Sequence, residues 1–206
     1  MKLVLNKPSK IIGIAVNYEG ATGLDDTMSE PLIFLKGSNT FLNNNEKIKI
    51  PFNLPCWGEV ELGVVISKKA KNISIDEVES YILGYTIVND ITIKNIDNRD
   101  HHLARSKSVD NFCPVLDTLD TSFIPKDQKL KAFHNGILLR EGKISDMIWS
   151  PEKIVSEVSH WMTLEKGDLI LTGTPPRVKE RMFLKNNDTF LCEIEGLGKL
   201  ENEFYE

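Results

Sequence analysis

Glu59, Glu61 and Asp90 are the residues whose types and spacing offer chemistry most directly. The first two stand in "WGEVELGVVIS" (57–67), where Leu62, Val64, Val65 and Ile66 suit a packed strand. Side chains alternate across a strand, so positions 59 and 61 share a face. Two anions side by side repel each other, and burying them is costly unless positive charge sits between them. Asp90 ends "GYTIVND", at the polar end of a second strand. Three carboxylates from two strands make a hard-cation site: oxygen donors select Mg²⁺, Mn²⁺ or Ca²⁺ over zinc, and three protein ligands leave positions open for substrate and water. On spacing alone, E-x-E on a strand is more often two solvated residues on an exposed face. The apolar run beside it argues for a strand inside a sheet.

Those strands need neighbours, and the chain supplies them. "KIIGIAVNY" (10–18) and "PLIFLKG" (31–37) read as strands, with a loop over 19–30 between them. A long connection rich in asparagine and proline follows, up to Pro55. Ser74 or Asp76 caps a short helix that passes through Gly84 into the strand carrying Asp90. "KLKAFHNGILLREGKI" is a hairpin turning on Asn135-Gly136. The clearest helix lies in "SPEKIVSEVSHWMTLEKGD", with Ser150 as cap, Pro151 in the first turn and Glu152 complementing the helix dipole. Ile154, Val155, Val158, Trp161 and Met162 form its apolar face and Gly167 is its stop. A strand "DLILTGTPP" and two strands joined by a glycine turn in "DTFLCEIEGLGKLENEFY" complete the chain. Strands outnumber helices without alternating with them, so the expected fold is α+β and β-rich, not doubly wound.

At 206 residues one domain spanning 1–206 is the natural expectation, long enough to bury a core. A net charge of −5 argues against nucleic acid or an anionic membrane as the partner. Cys56, Cys113 and Cys192 are odd in number and widely spaced, so no disulfide framework or zinc ribbon is expected, and Cys113 reads as a buried structural thiol. Lys7, Pro8 and Lys10 interrupt the first apolar run before a signal-peptide core forms, and no stretch approaches a membrane span, which points to the cytoplasm. Gly196, Gly198 and Lys199 lack phosphate-loop spacing and read as a strand turn. His101 and His102 are adjacent, face opposite ways in an extended segment and read as surface loop.

A set of short strings, in order, says more. They are "NY" (17–18), "PLIFLKG" (31–37), "GEVELGVVI" (58–66), "GYTIVNDIT" (84–92), "RSKSVDNFCPV" (105–115), "NG" (135–136), "GDLILTGTPPRV" (167–178) and "IEGLGKLEN" (194–202). Together they resemble the fumarylacetoacetate hydrolase family over nearly the whole chain. The resemblance implies a mixed β-sandwich-like roll with few short helices. It implies a divalent metal, usually Mg²⁺, with Mn²⁺ or Ca²⁺ as alternatives, held by Glu59, Glu61 and Asp90. That ion would be the positive charge the two glutamates need. It also implies homodimers, and action on 2-oxo acids or 1,3-dicarbonyl compounds by C–C cleavage, loss of CO₂, or keto–enol and double-bond shifts. Lys107 matches a lysine beside the metal and Lys36 another.

A chelating 2-oxo carboxylate would occupy two adjacent metal positions, polarising the ketone and stabilising an enolate. Three carboxylates around a divalent ion leave net negative charge, so an anionic small-molecule substrate needs the extra cations Lys36 and Lys107. Thr174 and the amides of Gly173 and Thr174 could hydrogen-bond its carboxylate, or form an ordinary Gly-Pro turn. The chain departs from the family in the expected lid, 19–30, where relatives carry a histidine and then a glutamate that move protons. Ala21 and Leu24 stand there instead, leaving Glu19, Asp25 and Asp26 as substitutes, with Glu19 as the candidate catalytic acid or base. Leu139 and Arg140 stand where relatives often have arginine and glutamine. The expected activity is therefore isomerisation, tautomerisation or decarboxylation of a small 2-oxo dicarboxylate. The alternatives are C–C hydrolysis of an acylpyruvate, a degenerate protein that binds a 2-oxo acid without turnover, and a structural Ca²⁺ site.

Overall fold

The computed structural model of the chain describes residues 2–20, 30–43, 46–50 and 54–206. Its centre is an antiparallel pair, strands Val60–Ile66 and Ile82–Asn89, buried along almost all their length. Such continuous apolar sequence fits strands covered on both faces. The pairing sets Val60 opposite Asn89 and Glu61 opposite Val88. The amide of Asp90 donates to the Glu59 carbonyl at 2.8 Å, one step beyond the end of the ladder. The register of two consecutive strands thus brings together three carboxylates that lie far apart in sequence.

Leu169–Leu171 flanks Val60–Ile66 on its other side, then Ile11–Ala15 and finally Leu32–Lys36 at the margin. Beyond Ile82–Asn89 lie Thr118–Asp120 and Lys2–Val4, while Cys113–Val115 bridges Ile82–Asn89 to Phe41–Asn43. This nine-stranded sheet, counted among the described residues, packs on a five-stranded one built from Ile137–Lys143, Lys129–His134, Thr189–Ile194, Gly198–Tyr205 and Ile48–Lys49. Cys56–Trp57 pairs with Thr92–Ile93 to the side. Phe190, Cys192 and Ile194 alternate inward from the second sheet and meet Leu62, Val64 and Ile87 in one apolar cluster. The mixed, β-rich α+β fold is as the sequence implied.

The local expectations held in part. The hairpin turns on Asn135-Gly136, both at positive φ, as a type I′ turn requires. Ser74 caps Ile75–Tyr81 through a capping box with Glu77, but that turn is 3₁₀ rather than α. The connection after Gly37 contains a 3₁₀ turn and two short strands.

The helix Pro151–Trp161 starts as expected, with the Lys153 amide donating to Ser150 Oγ. It ends six residues before Gly167, however. Met162 turns extended, and the chain bridges Leu164 to Ala70 instead of completing another turn. Trp161, expected on the apolar face, is 64% exposed, whereas Ile154, Val155 and Val158 join the core. Cys56, Cys113 and Cys192 are free and buried. Of the expected lid only Glu19, Gly20 and Glu30 are described; Ala21, Leu24, Asp25 and Asp26 lie outside the described residues. Among the described residues no helix is long and apolar enough to cross a membrane.

Candidate metal centre

Glu59, Glu61 and Asp90 converge so that one carboxylate oxygen from each lies within 4.8 Å of the others. They open into a cavity of about 250 Å³ that is also lined by Val16, Phe34, Lys107, Arg140, Thr174, Arg177 and Arg181. Each ligand is placed by a local device. Gly58 lets the chain press against the second sheet, since a Cβ there would lie 2.6 Å from Asn89 Oδ1 and 2.7 Å from the Phe190 ring. Asn89 Oδ1 in turn accepts the Glu59 amide at 3.0 Å. Strand Ile11–Ala15 stops where Val16 takes φ 59°, a left-handed conformation costly for a β-branched residue, and Val16 lies on the cavity wall. Asn17 holds this corner: its side-chain amide donates to the carbonyls of Trp149 and Thr172, and its Oδ1 accepts the Trp149 amide.

The three carboxylates are not equivalent. Asp90 accepts from Lys36 Nζ at 2.6 Å and also from Lys107 Nζ. Glu59 accepts from Arg140 Nη2 at 2.7 Å and from Lys107 Nζ at 3.3 Å. Burial opposes ionisation of Glu59, yet Lys107 and Arg140 outweigh it and hold the carboxyl at about 2. Glu61, 2% exposed, has no such cation in hydrogen-bond contact; its described donor is the Gly173 amide at 2.6 Å. Burial first, then the neighbouring charges of Asp90 and Glu59, push Glu61 well above the usual carboxylate range, against the pull of Lys107. The chain's own cations pair with two of the three acids and leave the third short of positive charge. Buried, convergent, all-oxygen and under-neutralised, the set fits a hard divalent cation such as Mg²⁺ or Mn²⁺, whose identity these donors do not distinguish.

Lys107 sits at the end of the short helix Ala104–Lys107, which Asp100 secures by accepting the Ser106 amide at 2.7 Å. Its ammonium donates to Thr92 Oγ1 at 2.7 Å and lies 4.7 Å from the centre of the Phe34 ring. Burial works against its charge, but Asp90, Glu59 and Glu61 together raise its pKa above the ordinary lysine value. Lys36 is fully buried behind Asp90, where it also reaches the Ile91 carbonyl at 3.2 Å, and it does not line the cavity. Thr174 does line it, with a buried hydroxyl that has no partner among the described residues, whereas the Gly173 amide is engaged by Glu61. Glu19 is exposed on the turn beside Gly20 and lies outside the lining, as do His101 and His102.

Sequence reasoning passed over three lining residues. Arg140 registered only as a departure from related sequences; it is buried in mid-strand and clamps Glu59 while Nη1 donates to the Pro175 carbonyl at 2.5 Å. A charged residue inside a hairpin strand next to buried Leu139 was the available signal. Arg177 and Arg181, in "RVKER", look like an ordinary solvated charge run and carried none.

Comparison with known proteins agrees with this architecture. The sequence profile of the family described as fumarylacetoacetate (FAA) hydrolase C-terminal matches residues 10–205. An uncharacterised protein of Methanocaldococcus jannaschii is 40% identical, over 95% of this chain and 83% of its own length. The mitochondrial oxaloacetate tautomerase Fahd2a of Rattus norvegicus is 33% identical, over 97% of this chain and 67% of its own. Among solved structures, 2-hydroxyhepta-2,4-diene-1,7-dioate isomerase from Mycobacterium marinum superposes with a TM-score of 0.87 at 36% identity, covering 97% of this chain and 75% of the other.

Proposed function

This chain belongs to the fumarylacetoacetate hydrolase family, and we propose on that premise that it is a divalent-metal-dependent enzyme acting on a small 2-oxo acid or 1,3-dicarbonyl compound as an isomerase, tautomerase or decarboxylase. One observation carries this reading: a buried carboxylate triad, short of one cation, faces a small cavity that also holds a lysine ammonium. Glu59, Glu61 and Asp90 would hold the ion. When bound, it supplies Lewis-acid polarisation of a ketone and stabilises negative charge on the resulting enolate oxygen.

The chain's own residues do the rest. Lys107, kept protonated by its three acidic neighbours, places positive charge beside the reacting carbon–oxygen system. The unpartnered Thr174 hydroxyl can donate to the substrate carboxylate. Arg140 holds Glu59 ionised and fixes its orientation. Lys36 does the same for Asp90 from behind, a positioning role rather than the direct substrate contact first expected of it. Apolar Ile14 and Phe34 on the wall limit water around the charge that develops. A homodimer working in the cytoplasm completes the proposal; exposed Leu32 and Leu35 on the marginal strand of the large sheet offer apolar area for pairing.

The test is steady-state turnover of oxaloacetate, an acylpyruvate and a 2-hydroxy-diene dioate by EDTA-treated protein, before and after Mg²⁺ or Mn²⁺ is restored. Turnover of at least one substrate that disappears with chelator and returns with metal is expected. Equal rates in both states would overturn the metal role.

A further inference from the structure

The cavity has a second, unsatisfied charge cluster. Arg177 and Arg181 line it, and among the described residues neither guanidinium forms an ion pair with a carboxylate. The guanidinium carbon of Arg181 lies over the Trp57 ring, 3.7 Å from its centre, with its Nε buried and, among the described residues, without a partner. Trp57 is itself braced edge-on by Phe183. A guanidinium stacked in this way keeps its in-plane N–H edges free, the geometry that receives a carboxylate through two parallel hydrogen bonds. Arg177 is set by its backbone: it bridges to Arg140, and the next amide, of Val178, donates to the Leu139 carbonyl at 2.8 Å. Gly142 lets this segment approach, because a Cβ there would lie 2.6 Å from Pro175.

Crowding three guanidinia is unfavourable by itself. The pKa of Arg181 is lowered, through burial first and then through the neighbouring charge of Arg177. Lys36, Lys107 and Arg140 pair with Asp90 and Glu59, and neither Arg177 nor Arg181 joins those ion pairs, so the two arginines are positive charge without a paired counterion within the described site. Like charges held together without counterions imply a ligand that brings the opposite sign. A cavity of about 250 Å³ is also smaller than those that take drug-sized ligands, which excludes a bulky occupant.

We propose that Arg177 and Arg181 form a second anion subsite that selects 2-oxo acids carrying a distal carboxylate over their monocarboxylate counterparts. The inference rests on the reading above, in which the 2-oxo end of the substrate lies at Glu59, Glu61 and Asp90. The two arginines are then specificity-determining residues at the opposite end of one small substrate.

Calorimetric titration of the Mg²⁺-loaded protein tests this with length-matched pairs: 2-oxoglutarate against 2-oxopentanoate, and oxaloacetate against 2-oxobutyrate. Oxalate serves as a probe of the metal end alone. Wild-type protein is expected to prefer the dicarboxylate of at least one pair. Arg177→Gln and Arg181→Gln should each weaken its binding about tenfold or more, as for loss of a hydrogen bond to a charged group, with oxalate and the monoacids unchanged. Arg181→Lys, which keeps the charge but not the fork, should fall between. No preference in any pair, or equal losses for dicarboxylates, monoacids and oxalate, overturns the subsite. A lowered melting temperature with ligand preference intact also overturns it, since the arginines are then structural. Failure of oxalate and every 2-oxo acid to bind the loaded wild type would instead bring down the metal-centre reading beneath it.

Discussion

Lys107 alone among the described cations reaches two of the clustered acids, Glu59 and Asp90, and this gives it two opposed effects. It stabilises the crowded carboxylates while no ion is present, and it competes with any ion for the same oxygens. The two effects separate in Lys107→Gln. Asp90 keeps Lys36 and Glu59 keeps Arg140, so the variant should still fold, with a loss of stability in the metal-free protein that added metal offsets. Its metal affinity should rise, because a positive competitor is gone. Turnover should fall by about 10²-fold or more, the usual loss when a group that stabilises developing negative charge is removed. Parallel calorimetric metal titration and kinetics check both halves. A fall in metal affinity together with unchanged turnover would show that Lys107 serves the site only as a counter-charge. Cys113 and Cys192 are buried near these charges with thiol pKa values raised by burial first, so neither is a nucleophile at neutral pH.

At the scale of elements, the site depends on strands that stop at the right residue. Val60–Ile66 and Ile82–Asn89 place Glu59 and Asp90 just past their paired ends, and Leu169–Leu171 delivers Gly173 two residues beyond its last rung. Gly173 takes φ 94°, and a Cβ there would lie 2.8 Å from Asn17 Cβ and 3.2 Å from the Ile14 carbonyl. Gly136 at the hairpin tip has φ 76° but nothing within 4 Å of a Cβ. Gly136→Ala should therefore cost only the backbone term, about 1 kcal/mol. Gly173→Ala adds a collision at the corner that Asn17 pins and should cost about 3 kcal/mol. It also shifts the amide that donates to Glu61. Urea melts of both variants give the comparison; equal losses would mean that the Gly173 corner yields easily and does not hold Glu61 in place.

For the whole molecule, two sheets pack on one another, and one cavity is lined both by the three acids and by Arg140, Arg177 and Arg181. Much of this was legible in the sequence. The apolar run around Glu61 marked a covered strand, and the Asn135-Gly136 pair marked the hairpin. The strand period put Glu59 and Glu61 on one face, but spacing alone favoured two solvated side chains, and it was the resemblance to the family that pointed to a metal held with Asp90. The helix end at Trp161 was not legible, since a bridge from Leu164 to Ala70, distant in sequence, decides it. Nor were Arg177 and Arg181, whose charge run gains meaning only when Pro175 docks across the hairpin at Gly142.

The central claim is that one divalent cation is held jointly by Glu59, Glu61 and Asp90. The most direct measurement is the anomalous difference map of a crystal soaked in Mn²⁺. A single strong peak per chain is predicted, within coordination distance of oxygens from all three residues and absent in Glu61→Gln. A map without a peak between those carboxylates at saturating Mn²⁺, or with an equal peak in the variant, would contradict it.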